Sequence, residues 1–313
     1  MSRHSLGVRW VWLAGVLLLA ACGGWGAQAE DGGLIPAQAR PLAAGDGHEH
    51  VDTTQATGQL EAVVVPTELV LGLNRFAVGL FDAEGRMVHE AEVVFHYFDL
   101  SDVDNPALES EVTAVSIRDD AGFTTIFAHE RRFDRAGTWG AEIQVRFPDG
   151  SADAQRIAFE VLAESNSITP GEKAPAVTTP IAADVNGDLS LLTSAPEPNP
   201  AFYEITLTEA LGNGRPIVFL LATPAFCQTR FCGPAYEIMN ELYAEYGDEY
   251  NFVHVEVFTG LPDPAANDWQ QAPTMSVYGL STEPWLYLID AAGVTQYRIE
   301  GLFTKEEVAR HME

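Results

Sequence analysis

Phe219-Leu220-Leu221-Ala222-Thr223-Pro224-Ala225-Phe226-Cys227 runs directly into Gln228-Thr229-Arg230-Phe231-Cys232-Gly233-Pro234. The first half completes an unbroken apolar run from Pro216 to Ala222. Such a run reads as a strand buried on both faces. The second half ends in a proline that suits the first turn of a helix, where its missing N–H would have no partner anyway. From Pro234 to Tyr246, Ile238, Met239, Leu242, Tyr243 and Tyr246 recur at three-four spacing, opposite Glu237, Glu241 and Glu245. That is an amphipathic helix. A buried strand and a helix are therefore joined by a loop that carries two cysteines.

Working outward, Thr206 to Leu211 is a short helix ended by Gly212, and Phe252 to Phe258 is a strand. Trp285 to Ile289 and Thr295 to Ile299 form a hairpin around Asp290-Ala291-Ala292-Gly293. Thr304 with Glu307 makes a capping box for a terminal helix. The order α-β-α-β-(α)-β-β-α over residues 201–313 predicts an α/β layer structure.

Two segments of this region resemble the thioredoxin-like superfamily. One is the strand running into Phe226-Cys227, followed by Cys232-Gly233-Pro234 at a helix start. The other is Tyr278-Gly279-Leu280-Ser281-Thr282-Glu283-Pro284-Trp285-Leu286-Tyr287-Leu288. It is similar to the thioredoxin segment in which a cis-proline precedes a strand and faces the active-site cysteine. The resemblance implies a C-terminal α/β thioredoxin-like fold with Cys227, Cys232 and Pro284 as catalytic residues, and no cofactor. It implies exchange with the thiols and disulfides of exported proteins. The spacing departs from the family, because four residues separate the cysteines where thioredoxins have two, and Ala235 stands where their second cysteine would be.

Two alignments follow. Either Cys227 attacks and Cys232 sits in an enlarged loop, or Cys232 attacks and Cys227 resolves it. Cys227 directly follows the strand, where the thioredoxin nucleophile stands. The helix start favours Cys232, since free amides and the macrodipole lower a thiol pKa there, and Arg230 adds positive charge. The spacing also fits an inert disulfide, although so short a loop gains little from one. Thioredoxins use a buried acid on the strand before the site; Val218 to Leu221 has none. Glu256 is the substitute, unless it faces solvent at its strand end. Thr229-Arg230-Phe231-Cys232 resembles the Thr-x-x-Cys of peroxiredoxins, but Pro224 is one residue out of register. Copper handling, as in the Sco-like relatives, would use the two thiolates and a histidine, with His254 the candidate. A different class stays open: a binding or scaffold protein with vestigial cysteines.

Residues 58–163 read as β. Apolar-rich segments recur at Glu61–Val65, Arg75–Phe81, Ala91–Phe98, Glu111–Arg118, Trp139–Phe147 and Gln155–Leu162. Turn signals such as Asp82-Ala83-Glu84-Gly85 and Pro148-Asp149-Gly150 separate them. This predicts an antiparallel sandwich. Phe133 to Val145, with Gly137-Thr138-Trp139-Gly140, resembles the late strands of bacterial immunoglobulin-like domains. His89, His96 and His129 are expected to be structural or surface residues. Residues 164–200 read as a linker, with prolines at 170, 175, 180, 196, 198 and 200. Leu189, Leu191 and Leu192 give part of it an apolar side to pack.

The fold class is thus multidomain: an all-β immunoglobulin-like sandwich followed by an α/β thioredoxin-like domain. Ahead of both, Arg3 and Arg9 precede an apolar Trp10 to Ala20, and Leu19-Ala20-Ala21-Cys22-Gly23 resembles the lipobox of bacterial lipoproteins. Residues 1–21 are then a signal peptide, and Cys22 the lipidated residue of a protein held outside the cytoplasm on the cell membrane. Residues 22–57 are a flexible tether, and its Gly47-His48-Glu49-His50 is read as solvated chain. With Cys22 assigned to the lipid, the other two of the three cysteines are left as a pair. A net charge of −28 over 313 residues excludes the phosphate backbone of nucleic acid as a partner. Neither the direction of the redox reaction nor the oligomeric state is written in the sequence. In a bacterial host the protein should partition with membranes, and Cys22→Ala should release it or leave it unprocessed. Identical fractionation and migration of the two forms would refute the lipobox reading.

Overall fold

The structure, a computed structural model, describes Arg40–Pro41 and residues 59–119, 121–227 and 229–312. The predicted signal peptide, Cys22 and all of the predicted tether except Arg40–Pro41 lie outside the described residues. No described helix is long and apolar enough to cross a membrane.

Among the described residues, nine strands occupy the first half: β1 (Arg40–Pro41), β2 (Glu61–Val64), β3 (Gly72–Phe81), β4 (Glu92–Asp99), β5 (Ala107–Thr113), β6 (Val115–Arg118), β7 (Thr125–Phe133), β8 (Gly137–Arg146) and β9 (Ala152–Val161). They make two antiparallel sheets, ordered β1-β9-β8-β4-β5 and β2-β3-β7-β6. Alternation builds the core between them: Phe76 and Val78 of β3 meet Phe95 and Tyr97 of β4, with Ile143 of β8 and Phe159 of β9. Phe76 packs edge-on to Phe95 and Tyr97 at 5.5 and 5.4 Å.

The sequence pattern missed β7 and ran two strands together. The predicted segment Glu111–Arg118 divides at Ala114: β5 pairs with β4 in one sheet, and β6 pairs with β7 in the other. The chain changes sheet there, and the two strands must serve different faces. Strand β7 begins Thr125-Ile126-Phe127-Ala128, four residues buried in succession. This first half shows no alternation because both its faces are covered. The three histidines are structural: His89 pairs with Thr125 at 2.9 Å, His96 with Glu111 at 3.1 Å and His129 with Tyr97 at 2.9 Å.

The second half contains α1 (Leu207–Gly212), β10 (Ile217–Ala222), α2 (Cys232–Tyr246), β11 (Asn251–Glu256), α3 (Pro273–Val277), β12 (Trp285–Ile289), β13 (Thr295–Glu300) and α4 (Lys305–Ala309). Its sheet is ordered β11-β10-β12-β13. Strands β10 and β11 are parallel, and β12 runs antiparallel to both β10 and β13. The apolar run of β10 has a simple cause. Val218, Leu220 and Ala222 face one core with Met239 and Leu242 of α2. Ile217, Phe219 and Leu221 face another with Leu207 of α1 and Met275 of α3. The expected capping box of Thr304 with Glu307 is present, and Thr206 makes a second one with Glu209.

The proline-rich segment is not a free linker. Gly171 donates to Thr295 and accepts its place beside β13, while the Thr295 amide returns a bond to Glu172, both at 2.8 Å. Leu192 and Ala195 enter the α2 core, and Thr179 receives the Leu207 amide at 2.9 Å. Of the three leucines expected to pack, Leu191 is exposed.

The sandwich and the α/β layer belong to one compact unit. Two nearly buried ion pairs join them: Arg75 Nε with Glu307 Oε1 at 2.9 Å, and Arg298 Nη1 with Glu68 Oε1 at 3.0 Å. Burial alone would raise the Glu68 carboxyl. The hydroxyls of Ser165 and Ser167, the Asn166 amide and Arg298 outweigh it and hold the group below the ordinary carboxylate range.

Candidate functional site

Strand β10 ends at Ala222, and the chain turns through Pro224 and Phe226 to Cys227. Helix α2 begins at Cys232 with no side-chain cap on its first turn. Its leading amides therefore need an acceptor. The Cys227 sulfur supplies one, accepting the Cys232 N–H at 3.3 Å. Thr229 Oγ1 lies 3.2 Å from the same sulfur and donates to the Glu283 carbonyl at 3.4 Å. The Glu283–Pro284 peptide is cis, as the sequence resemblance led us to expect. One hydroxyl thus bridges the cysteine loop to the residue before Pro284. Arg230 is exposed and takes φ +66°, a left-handed conformation costly for a side-chain-bearing residue.

Both cysteines are free thiols, and their environments differ sharply. Cys227 is half-buried, whereas Cys232 is completely buried in the α2 core. Cys227 is pushed down to about 5. The Cys232 thiol hydrogen bond contributes most, and the Thr229 side chain and the loop amides add to it against the opposing effect of burial. Cys232 moves the other way: burial raises it, and the bond and charge at Cys227 raise it further. This reverses the expectation from the helix start. The N-terminal field is as predicted, but it acts on the atom ahead of the amides. That atom is Cys227 Sγ, while the Cys232 side chain turns into the core.

Glu256 also departs from the simplest expectation. It does not face solvent: at the end of β11, opposite Ala222, it is 5% exposed. The Ser194 amide donates to its Oε2 at 2.8 Å and the Ser194 hydroxyl at 3.1 Å. The same hydroxyl oxygen receives the Ala225 amide at 3.0 Å, in the turn before Cys227. Burial pushes Glu256 up to about 7, and the charge of Cys227 adds to the shift. Ser194 was missed from sequence because it lies in the segment read as a linker.

Among the described residues, the two sulfurs and a Glu283 carboxylate oxygen lie within 4.8 Å of one another. This is where a thiophilic ion would find donors. The histidine of the copper reading does not join them. His254 is buried, with Nδ1 2.7 Å from the Tyr203 hydroxyl and Nε2 3.1 Å from the Ala222 carbonyl. Burial lowers it to about 3. Thr229, the threonine of the peroxiredoxin-like pattern, contacts Cys227 rather than Cys232.

No family model matches the chain, and no curated protein matches it. Similar solved structures include a Chlorobium tepidum protein described as a thiol:disulfide interchange protein, DsbE. It is 17% identical over 47% of this chain and 96% of its own, with a TM-score of 0.33. The soluble domain of PmoD from a Methylocystis species is 11% identical over 33% of this chain and 90% of its own, with a TM-score of 0.22. The geometry of the site itself therefore bears the functional reading.

Two outcomes are expected. In the reduced native protein at about pH 6, iodoacetamide should label Cys227 rapidly and leave Cys232 protected until the fold is opened. Peptide mapping that finds Cys232 labelled first would contradict the geometry. For Glu256, the unfolded chain loses its proton near 4.5 and the folded protein near 7. Its contribution to stability is therefore complete below about pH 4.5 and is lost as pH rises towards 7. Glu256→Gln should remove that slope, worth on the order of 3 kcal/mol. Denaturant unfolding at pH 5 and pH 7.5 measures it, and an unchanged slope in the variant would refute the assignment.

Proposed function

We propose that this chain is a lipid-anchored, extracytoplasmic thiol–disulfide exchange protein in which Cys227 attacks and Cys232 resolves. The observation that carries the reading is the opposite perturbation of two adjacent thiols: an accessible one that is acidic, and a buried one that is not. The β-α-β-α-β-β-α order after α1, with strands β11-β10-β12-β13 side by side, supports a thioredoxin-like domain at 201–313, onto which residues 171–195 also pack. The two antiparallel sheets of the first half support an immunoglobulin-like sandwich at 58–163. The lipobox at Cys22 supports the membrane anchor and the exported partners.

The chemistry balances within the pair. The Cys227 thiolate attacks one sulfur of a disulfide in an exported polypeptide, forms a mixed disulfide and releases the other sulfur as a thiolate, which takes a proton from water. Cys232 then loses its proton and attacks Cys227 Sγ. The second substrate sulfur leaves as a thiol, and an internal disulfide joins Cys227 to Cys232. Two electrons pass from the dithiol to the substrate, and the reverse sequence oxidises a substrate dithiol. Glu256, poised near neutrality and coupled electrostatically to Cys227, serves as the acid that exchanges protons with the pair.

The test is exchange with a disulfide-bonded peptide. Wild type should exchange, and Cys227→Ser should be inactive. Cys232→Ser should accumulate a mixed disulfide through Cys227, visible on non-reducing gels. Exchange that survives Cys227→Ser would overturn the proposal, and the absence of any exchange in wild type would favour a scaffold role.

A further inference from the structure

The β2-β3-β7-β6 sheet has an apolar outer face, where an antiparallel sheet ordinarily turns polar residues to water. Ala77 of β3, Ile117 of β6, and Ile126 and Ala128 of β7 are each 1–2% exposed. They do not belong to the sandwich core. Together with Leu302 they form a separate apolar cluster, against which Val65 and Phe231 pack.

The two residues that come from the α/β layer, Phe231 and Leu302, belong to segments that adjoin the site. Phe231 lies in the loop between the cysteines, immediately before Cys232. Leu302 follows Gly301, whose amide donates to the Pro284 carbonyl at 2.9 Å. One patch on the sandwich therefore holds both walls of the site, the cysteine loop and the cis-proline segment. A polar tie runs beside it. The Thr67 amide and hydroxyl both donate to Glu300 Oε2 at 3.0 Å. The Thr282 hydroxyl, two residues before Pro284, donates to Glu300 Oε1 at 2.6 Å.

We propose that the sandwich is a positioning element of the thiol pair, and that it acts through Phe231. The loop has four residues between its cysteines and a left-handed turn at Arg230, so by itself it has many arrangements to lose. Phe231 packed against the cluster that contains Ile126 leaves the loop one arrangement, in which Cys227 Sγ meets the α2 amide. Removing the anchor frees the loop, and the sulfur loses its donors for part of the time. Phe231 touches no substrate atom in this scheme; it works by placing Cys227.

The inference rests on the exchange reading, and the experiment separates the two. The pH dependence of Cys227 alkylation is measured in the full chain for wild type, Phe231→Ala, Phe231→Leu and Ile126→Ala, with circular dichroism as the check on folding. Phe231→Ala should slow alkylation at about pH 6 roughly tenfold or more, by moving the midpoint towards that of an ordinary thiol. Phe231→Leu, which keeps an apolar anchor, should restore most of the rate. Ile126→Ala lies on the sandwich and should shift the midpoint in the same direction; it also carries the test if Phe231→Ala does not fold. Folded Phe231→Ala and Ile126→Ala proteins with wild-type profiles, alongside normal peptide exchange, would overturn the positioning role alone. A wild-type Cys227 with an ordinary thiol midpoint and no exchange would remove the exchange reading and this inference with it.

Discussion

The first amide of α2 has no cap within its own helix and finds its acceptor in the Cys227 sulfur. That hydrogen bond links three features of the molecule. It ties the end of the β10 turn to the start of α2, it gives the accessible sulfur a charge-stabilising donor, and it fixes the loop that the sandwich face covers. A sulfur is a weak acceptor when neutral and a good one when ionised. The helix start and the thiolate therefore stabilise each other, and the helix end would be left without a partner if the sulfur moved away.

The joint between the two halves explains how such a loop is kept in place. An acidic chain with a net charge of −28 gains little from further carboxylates on its surface. Between the halves, Glu68, Glu300 and Glu307 are instead enclosed, each with several donors. Arg75 reaches both Glu307 and the Leu302 carbonyl, so a charge pair and the apolar cluster are anchored by one side chain. Removing one partner of such a pair leaves an enclosed charge uncompensated, which is strongly destabilising.

The strand-loop-helix centre was legible because its causes are local. The β10 run, the α2 spacing, the hairpin at Asp290 and the Thr304 cap each follow from neighbouring residues. What was not legible depends on the other half of the chain. The first half of β7 is buried on both faces only because the α/β layer covers its outer side, and no pattern within β7 announces that. The difference between the two thiol environments was hidden for a geometric reason. Helix position was readable, but whether the Cys232 side chain faces the amides or the core was not. Glu256 was recognised as a candidate acid, yet the hydroxyl that holds it comes from Ser194 in a segment whose prolines suggested a spacer.

That segment bears on modularity. Residues 171–174 lie against the β13 hairpin, Thr179 caps the start of α1, Leu192 and Ala195 fill the α2 core, and Ser194 holds Glu256. The stretch belongs to the α/β layer as a belt belongs to what it encircles. A gene fragment cut at residue 201 would encode every strand and helix of the layer but leave its acid without its hydroxyl and one edge strand partly uncovered. Exposed strand edges invite pairing with other chains. The unit that recombination could move between proteins intact therefore begins well upstream of the first helix.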